Sequence, residues 1–325
     1  MKNSKITIIM PVYNMSAYVG EAINSAIKQK FKKWNMLISD DRSTDGTVNL
    51  LKKIKHKNIK VYYQKKNLGI YGNLKFLNSK AKSSIVKILC QDDKLLPNAL
   101  QNIFSFMEKN KSCKICTCYD QKTKKIFTKY NLSLLGNKYF TKFNPKSSMF
   151  ALLAFGNIFG YLSRVAYKRK NFNISSIFNR SLPFAGDYYA WSKMSKKYGF
   201  FLIKKKLVYV RSHPGQATYT LNRKNEFYIQ FAYVLNFLIK NIDPSYHKAL
   251  KKYLLQFILP QRITNYLRCL VNLRFDLAKK IFANLPFGIS VMEIFFNYFH
   301  YLLVKKSLIR CNNEYIIKDI QKLND

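Results

Sequence analysis

The sequence predicts an α/β protein with a mostly parallel central sheet over residues 1–221 and an α-helical extension over residues 222–325. Three observations carry this expectation. Through the first hundred residues, short apolar runs alternate with amphipathic stretches, the pattern of βα units feeding a parallel sheet. The breaks between the runs hold Pro, Ser, Asp and Gly, which end strands and cap helices. Beyond about residue 222 the pattern turns to long apolar stretches of helical character.

Taken in order, Lys5 to Met10 reads as a first strand ended by Pro11. Tyr18, Val19, Ala22, Ile23, Ala26 and Ile27 recur at helical spacing, with Ser16 as the N-cap. A strand is expected from Trp34 to Ser39, then a helix from Asp45 to Lys55 behind Ser43 and Thr44. Lys60 to Gln64 is the third strand, Ile70 to Lys80 a helix and Ser84 to Leu89 the fourth strand. From Cys113 to Tyr167 the pattern is less regular and reads as short strands and basic turns. A helix follows from Asp187 to Tyr198, then a strand from Phe200 to Val210 and a polar loop from Arg211 to Thr218.

Composition narrows the function classes. At 325 residues with 48% hydrophobic content the chain builds a substantial core, and global disorder is excluded. The net charge of +41 attracts anions, but the basic residues are 47 Lys against 10 Arg in a chain rich in Asn, Ile, Tyr and Phe. That bias fits compositional drift or attraction to an anionic membrane surface better than nucleic-acid recognition. Cys113, Cys116 and Cys118 lack a second cluster or a nearby His to complete a zinc site and read as reduced thiols in a strand. Ile6 to Met10 is too short for a secretory h-region, so the expected place is the cytoplasm, including the inner face of the membrane.

The carboxylates say more. Residues 1–220 contain nine: Glu21, Asp40, Asp41, Asp45, Asp92, Asp93, Glu108, Asp120 and Asp187. Adjacent Asp side chains repel unless a cation or a hydrogen-bond network compensates them. A surface Asp pair by itself marks a turn, yet Asp40-Asp41 and Asp92-Asp93 both fall after predicted parallel strands, where ligands bind in open α/β sheets. Asp45 reads instead as a helix N-terminal residue. Transfer of a sugar from a nucleoside diphosphate would use such groups: a carboxylate-held Mn²⁺ or Mg²⁺ at the diphosphate, and a separate carboxylate as base toward the acceptor hydroxyl. Asp93 suits the first task and Asp187 the second.

Five segments in order, ITIIMPVYN (Ile6 to Asn14), ISDDRSTDGT (Ile38 to Thr47), NLG (Asn67 to Gly69), LCQDDKLLP (Leu89 to Pro97) and FAGDYYAW (Phe184 to Trp191), resemble the family 2 inverting glycosyltransferases of GT-A-type fold. The resemblance spans about 190 residues. It implies that Pro11, Val12 and Tyr13 line a nucleotide pocket and that Asp41, or its neighbour Asp40, contacts the nucleobase. Asn67 and Gly69 lie on the same donor side. The family's Asp-x-Asp motif reads Gln91-Asp92-Asp93 here, so its first carboxylate is missing. Asp93 then holds the metal, and Asp92 serves the ribose or the metal shell. Asp187 matches the base. His213, in the loop after the last core strand, is expected near the metal or the diphosphate, and Arg211 is expected to pair with phosphate. The implied partners are a nucleoside-diphosphate sugar, with UDP as the default, and a glycan or lipid-linked acceptor in surface-polysaccharide assembly. A nucleotide-sugar-binding protein without turnover and a basic membrane-surface binder are the rival readings. The first must explain Asp187, and the second must explain two Asp pairs at strand ends.

In the extension, the 24 positions between Lys280 and Lys305 hold Glu293 as their charge. Pro286 and Gly288 interrupt the stretch, leaving it short of a membrane span. Val291, Ile294, Phe295, Tyr298, Leu302 and Leu303 form one stripe, opposite Glu293, Asn297 and His300. An amphipathic helix is therefore expected, either packed on the catalytic domain or docked at a membrane surface.

Overall fold

This computed structural model describes residues 4–121, 135–172, 177–179, 181–216, 226–271, 273, 275–282, 285–304 and 317–324. Strand β1 (Ile6–Val12) sits at the centre of an eight-stranded sheet and is buried along its whole length. It pairs in parallel with β2 (Trp34–Asp40) on one side and β4 (Ile85–Ile88) on the other, and β2 pairs in parallel with β3 (Ile59–Tyr63). Alternation along β1 feeds two cores. Ile6, Ile8, Met10 and Val12 face one side, and Ile9 faces the other. Each such side chain withdrawn from water contributes roughly 1.5–3 kcal/mol.

The expected first strand stops at Pro11, but β1 continues to Val12. Its partner β4 covers residues up to Ile9, so the missing Pro11 amide deprives no ladder bond on that side, while Pro11 still sits opposite Ser39. Helix α1 (Val19–Ile27) buries Val19, Ala22, Ile23 and Ala26 as expected, but it is not capped by Ser16. The Ser16 amide donates instead to Asp45 Oδ2 (3.0 Å), while Asp45 Oδ1 accepts the Thr47 amide (2.9 Å) at the start of α2 (Thr47–Lys52). Asp45 thus ties two helix starts together, and these bonds hold its carboxyl down at about 2 despite the opposing burial.

The remaining half of the sheet is mixed. Its order is β3-β2-β1-β4-β8-β6-β9-β7, where β6 is Ile115–Tyr119, β7 is Phe140–Phe143, β8 is Ala166–Lys168 and β9 is Phe200–Lys206. Strands β6 and β9 run parallel, while β8 and β7 are antiparallel to their neighbours. Cys113, Cys116 and Cys118 are buried free thiols at or in β6. Two expectations are corrected. The irregular stretch contains an eleven-residue helix, α5 (Pro145–Phe155), started by Pro145 and by the Asn144 side chain accepting the Ser147 amide (2.9 Å). Residues 147–154 of α5 are all buried, so no polar face marks the helical period in the sequence. The expected strand from Phe200 to Val210 is also two strands, because after Lys206 the chain leaves β9 and forms β10 (Val208–Tyr209) against β5 (Lys94–Leu95). That short pairing positions the site.

Around this lie α3 (Gly69–Lys80), α4 (Ala99–Lys109) and α6 (Gly186–Tyr198). The extension is helical: α7 (Glu226–Ile239), α8 (His247–Tyr253), α9 (Pro260–Val271), α10 (Phe275–Ile281), α11 (Val291–Val304) and a last helix over 317–324. It shares the core of the sheet face that holds Ile9, through Val234, Leu238, Tyr253, Ile263, Ile294 and Ile320. In α11, Ile294 is buried, while Val291, Met292 and Phe296 are exposed; the side chains of the expected stripe beyond Tyr298 lie outside the described residues. Among the described residues no helix is long and apolar enough to cross a membrane.

Candidate active site

The carboxyl ends of β1, β2 and β4 share one edge of the sheet, and backbone bonds lock that edge. Asp41 N donates to Val12 O (2.8 Å) and Gln64 N to Asp40 O (2.9 Å). Both Asp residues are buried, with different partners. Asp41 accepts the Leu68 amide on Oδ1 (2.6 Å) and the Gly69 amide on Oδ2 (2.9 Å), so it serves the orphan donors at the N-terminus of α3. Asp40 accepts the Ser43 amide on Oδ2 (3.1 Å), and its buried Oδ1 has no hydrogen-bond partner. Asn67, exposed, also accepts the Gly69 amide (2.9 Å), and Gly69 takes a left-handed φ of +69° there.

Pro11 and Val12 are buried at the strand end, and Tyr13 is exposed beyond them. Gln91 fills the place of the expected first carboxylate and does something else with it. Its Oε1 accepts the Tyr13 amide (2.6 Å) and its Nε2 donates to the Tyr13 carbonyl (3.2 Å). The β4 loop and the β1 end are thereby clamped by one side-chain amide.

Strand β10 delivers the polar loop onto Asp92 and Asp93. Arg211 N donates to Asp93 Oδ1 (3.1 Å), Arg211 Nε to Asp92 O (3.1 Å) and Arg211 Nη2 to Glu21 Oε2 (3.0 Å). His213 Nε2 lies 3.1 Å from Asp92 Oδ2, and Gln216 Nε2 donates to the same oxygen (3.3 Å). Tyr18 underlies both, with its ring 4.6 Å from the His213 ring and 4.5 Å from the Arg211 guanidinium. Burial and the adjacent Asp92 charge push the Asp93 carboxyl up to about 7. A cation there would relieve the charge repulsion and compensate the burial, so the residues fit a divalent metal. Among the described residues no cluster of three or more His, Cys, Asp or Glu groups forms a full cage. Mg²⁺-type sites use one or two carboxylates and complete their shell with phosphate and water.

Asp187 opens α6. Its amide donates to Tyr71 Oη (3.1 Å), its Oδ1 accepts the Tyr188 amide (2.6 Å) and its Oδ2 receives a long bond from Asn157 Nδ2 (3.4 Å). Gly186 is required by the close approach of Tyr71, whose ring lies 2.6 Å from where a Cβ would be. Burial raises the Asp187 carboxyl to about 6. Tyr71 belongs to α3, the helix whose N-terminus Asp41 holds, so one element links Asp187 to the Asp40-Asp41 edge. The predicted residues therefore form one connected network. Gln91, Tyr18, Glu21, Tyr71 and Asn157 join it without having been singled out for it in the sequence. The signals were a Gln in an acidic motif and an Asn among glycines, and both also fit ordinary loop roles.

The glycosyl transferase family 2 model matches residues 7–173, half of the chain. The chain belongs to glycosyl transferase family 2. This glycosyltransferase is similar to an uncharacterized glycosyltransferase of Haemophilus influenzae, at 25% identity over 67% of this chain and 69% of that one. It is also similar to the putative glycosyltransferase EpsE of Bacillus subtilis, at 30% identity over 33% of this chain and 40% of that one. Its fold matches S. aureus TarS 1-349 in complex with UDP, with a TM-score of 0.60 and 16% identity over 98% of this chain and 90% of that chain. It likewise matches the mannosyltransferase PcManGT of Pyrobaculum calidifontis in complex with GDP-Man and Mn²⁺, with a TM-score of 0.58 and 16% identity over 98% and 86% of the two chains. The glycosyltransferase has the GT-A-type fold, a mostly parallel sheet followed by C-terminal helices.

Proposed function

We propose that this glycosyltransferase moves a sugar, with inversion, from a nucleoside-diphosphate donor to a hydroxyl of a glycan or lipid-linked acceptor in surface-polysaccharide assembly, in the cytoplasm or at the inner face of the membrane. The observation that carries the reading is the packing of the Arg211–Gln216 loop onto Asp92 and Asp93, with a further, half-buried carboxylate, Asp187, reached through α3. TarS has been crystallised with UDP and with UDP-GlcNAc, and PcManGT with GDP-Man and Mn²⁺, which supports a nucleotide sugar, with UDP as first choice, and Mn²⁺ or Mg²⁺. The pathway is supported by the name of one further relative, the putative teichuronic acid biosynthesis glycosyltransferase TuaG of Bacillus subtilis, 31% identical over 31% of this chain and 41% of that one.

In this reading Asp93 holds the divalent ion, with Asp92 and His213 beside it. When bound, the ion neutralises the diphosphate as the anomeric bond breaks. Pro11, Val12 and Tyr13 line the nucleoside pocket. The unpartnered Oδ1 of Asp40 favours it over Asp41 for the nucleobase, since Asp41 is engaged by two backbone amides; Asn67 and Gly69 stay on the donor side by holding the start of α3. Arg211 supports the Asp92-Asp93 turn and reaches phosphate if its bond to Glu21 yields. Asp187 takes the acceptor proton as the acceptor oxygen bonds to the anomeric carbon and the donor's C–O bond breaks toward the diphosphate. A base near pKa 6 is mostly ionised at neutral pH and still accepts a proton.

The test is a thermal-shift screen of nucleoside diphosphates and their sugars, with and without Mn²⁺, followed by assays of donor turnover. Stabilisation by a nucleotide plus Mn²⁺, lost in Asp93→Ala, is the expected result. Asp187→Ala should keep that stabilisation and lose transfer by about 100- to 10,000-fold. Normal turnover by Asp187→Ala would overturn the assignment of the base.

A further inference from the structure

The helical extension carries an apolar surface that its packing does not use. Val271 is 83% exposed, Leu273 76% and Phe275 55% at the turn from α9 to α10, while Met292 is 63% and Phe296 74% exposed on α11. Val271, Met292 and Phe296 lie on one side of the α9–α11 pair, and Leu273 and Phe275 follow Val271 in the turn. Helices α9 and α11 run antiparallel, since Thr264 Oγ1 meets Tyr298 Oη at 3.4 Å and Tyr266 meets the Phe295 ring at 6.5 Å. One residue onward from Tyr266 and from Phe295 turns each helix by about 100°, which in an antiparallel pair points both Leu267 and Phe296 to the same side. Val271 and Met292 follow one turn along each helix. Leu267 is accordingly exposed as well.

The corner is also unfavourable as ordinary surface. Leu273 holds a φ of +54°, a left-handed backbone that a leucine rarely adopts, at the point where its side chain stands in water. Two local costs at one position indicate a role outside the folded chain. The charge around it indicates the kind of partner. The sequence from 260 to 280 carries Arg262, Arg268, Arg274, Lys279 and Lys280 against Asp276, within a chain of net charge +41. Arg262 is buried and donates to Ile281 O, whereas Lys279 is exposed beside the apolar corner.

We propose that this face, led by Val271, Leu273, Phe275, Met292 and Phe296, inserts into the headgroup region of an anionic lipid bilayer and holds the protein on its surface. Exposed apolar side chains on a segment with five basic residues to one acidic, Lys279 among them exposed, match the two attractions that bind interfacial helices: burial of apolar area and the negative surface potential. The stripe of α11 that holds Ile294 is turned to the protein core, so the docking residues are its outward neighbours. The inference does not depend on the sugar-transfer reading.

The test uses the full chain with vesicles of phosphatidylcholine alone and of phosphatidylcholine mixed with phosphatidylglycerol. The protein should sediment with the mixed vesicles. The triple variant Val271→Ser, Leu273→Asn, Phe296→Ser should partition at least about tenfold more weakly while melting as cooperatively as the parent, because all three side chains are solvent-exposed. Phe296→Trp adds a direct readout, since Trp34 and Trp191 are both buried: its emission should shift to the blue on the mixed vesicles. Equal binding by the triple variant, no blue shift, or no binding by the parent would overturn the proposal. So would a dimer in solution that the triple variant abolishes without any vesicle binding, because the face would then serve a second copy of the chain.

Discussion

Asp187 and Gly186 set opposite demands on adjacent positions. The Tyr71 ring occupies the space a Cβ would need at Gly186, so Gly186→Ala forces ring or backbone to move. The expected cost is roughly 1–3 kcal/mol, read as a lower urea midpoint with unchanged m-value. Asp187 is kept above the ordinary carboxylate range by burial, at about 6. The fold therefore prefers its neutral form. That preference is fully present below the unfolded value of about 4 and is lost as pH rises through about 6. Asp187→Asn should then melt higher than the parent near neutral pH and equally near pH 4, with a gain of at most about 2–3 kcal/mol. Catalysis has the reverse slope. If Asp187 is the base, kcat/KM should be level above its pKa and fall about tenfold per unit below about pH 6, in a pH–rate profile.

At the scale of elements, the pairing of β5 with β10 turns two distant segments into one site. Lys94 and Leu95 follow the Asp pair directly, and β10 ends one residue short of Arg211, with Val210 between, so two pairs of residues set the register of the whole loop. Within it His213 bonds to Asp92 and packs at a tilt against the Tyr18 ring. His213→Ala should weaken Mn²⁺ binding by about 10- to 100-fold, measured by titrating the metal in a thermal-shift or turnover assay. An equal Mn²⁺ response in the variant would reduce His213 to a loop anchor. Glu21→Gln removes an exposed partner of Arg211 and Lys94 and should leave the melting temperature unchanged.

For the whole molecule, the main question is whether residues 1–221 stand alone. The core on the Ile9 face continues into the extension without a break. Tyr253 Oη donates to Ala154 O (2.8 Å), Gln230 accepts the Phe184 and Ala185 amides just before Asp187, and Asn324 reaches the Ser147 hydroxyl (2.6 Å) at the start of α5. A truncation after residue 221 uncovers that face. It should be poorly soluble and lose cooperative unfolding, as seen by calorimetry, whereas a self-standing domain would melt as one unit.

Much of this was legible in the sequence, because it depends on local pattern. The apolar run of Lys5 to Met10, the helical period of α1 and the position of the Asp pairs at strand ends are local features, and family membership follows from ordered motifs. The helix over Pro145–Phe155 was not legible, since total burial erases its polar face. The separate duties of Asp40 and Asp41 were also beyond reach: adjacent and chemically identical, they differ in which backbone amides reach them, those of Leu68 and Gly69 at the start of α3 for Asp41 and that of Ser43 for Asp40. Gln91 shows the same limit, because its clamp on Tyr13 joins residues 78 positions apart. Sequence by itself determined the fold class, the acidic motifs and the glycosyltransferase family. Tertiary structure decided which oxygens are already bonded, which carboxyls burial has raised and which apolar side chains of the extension remain in water, since all three depend on long-range packing.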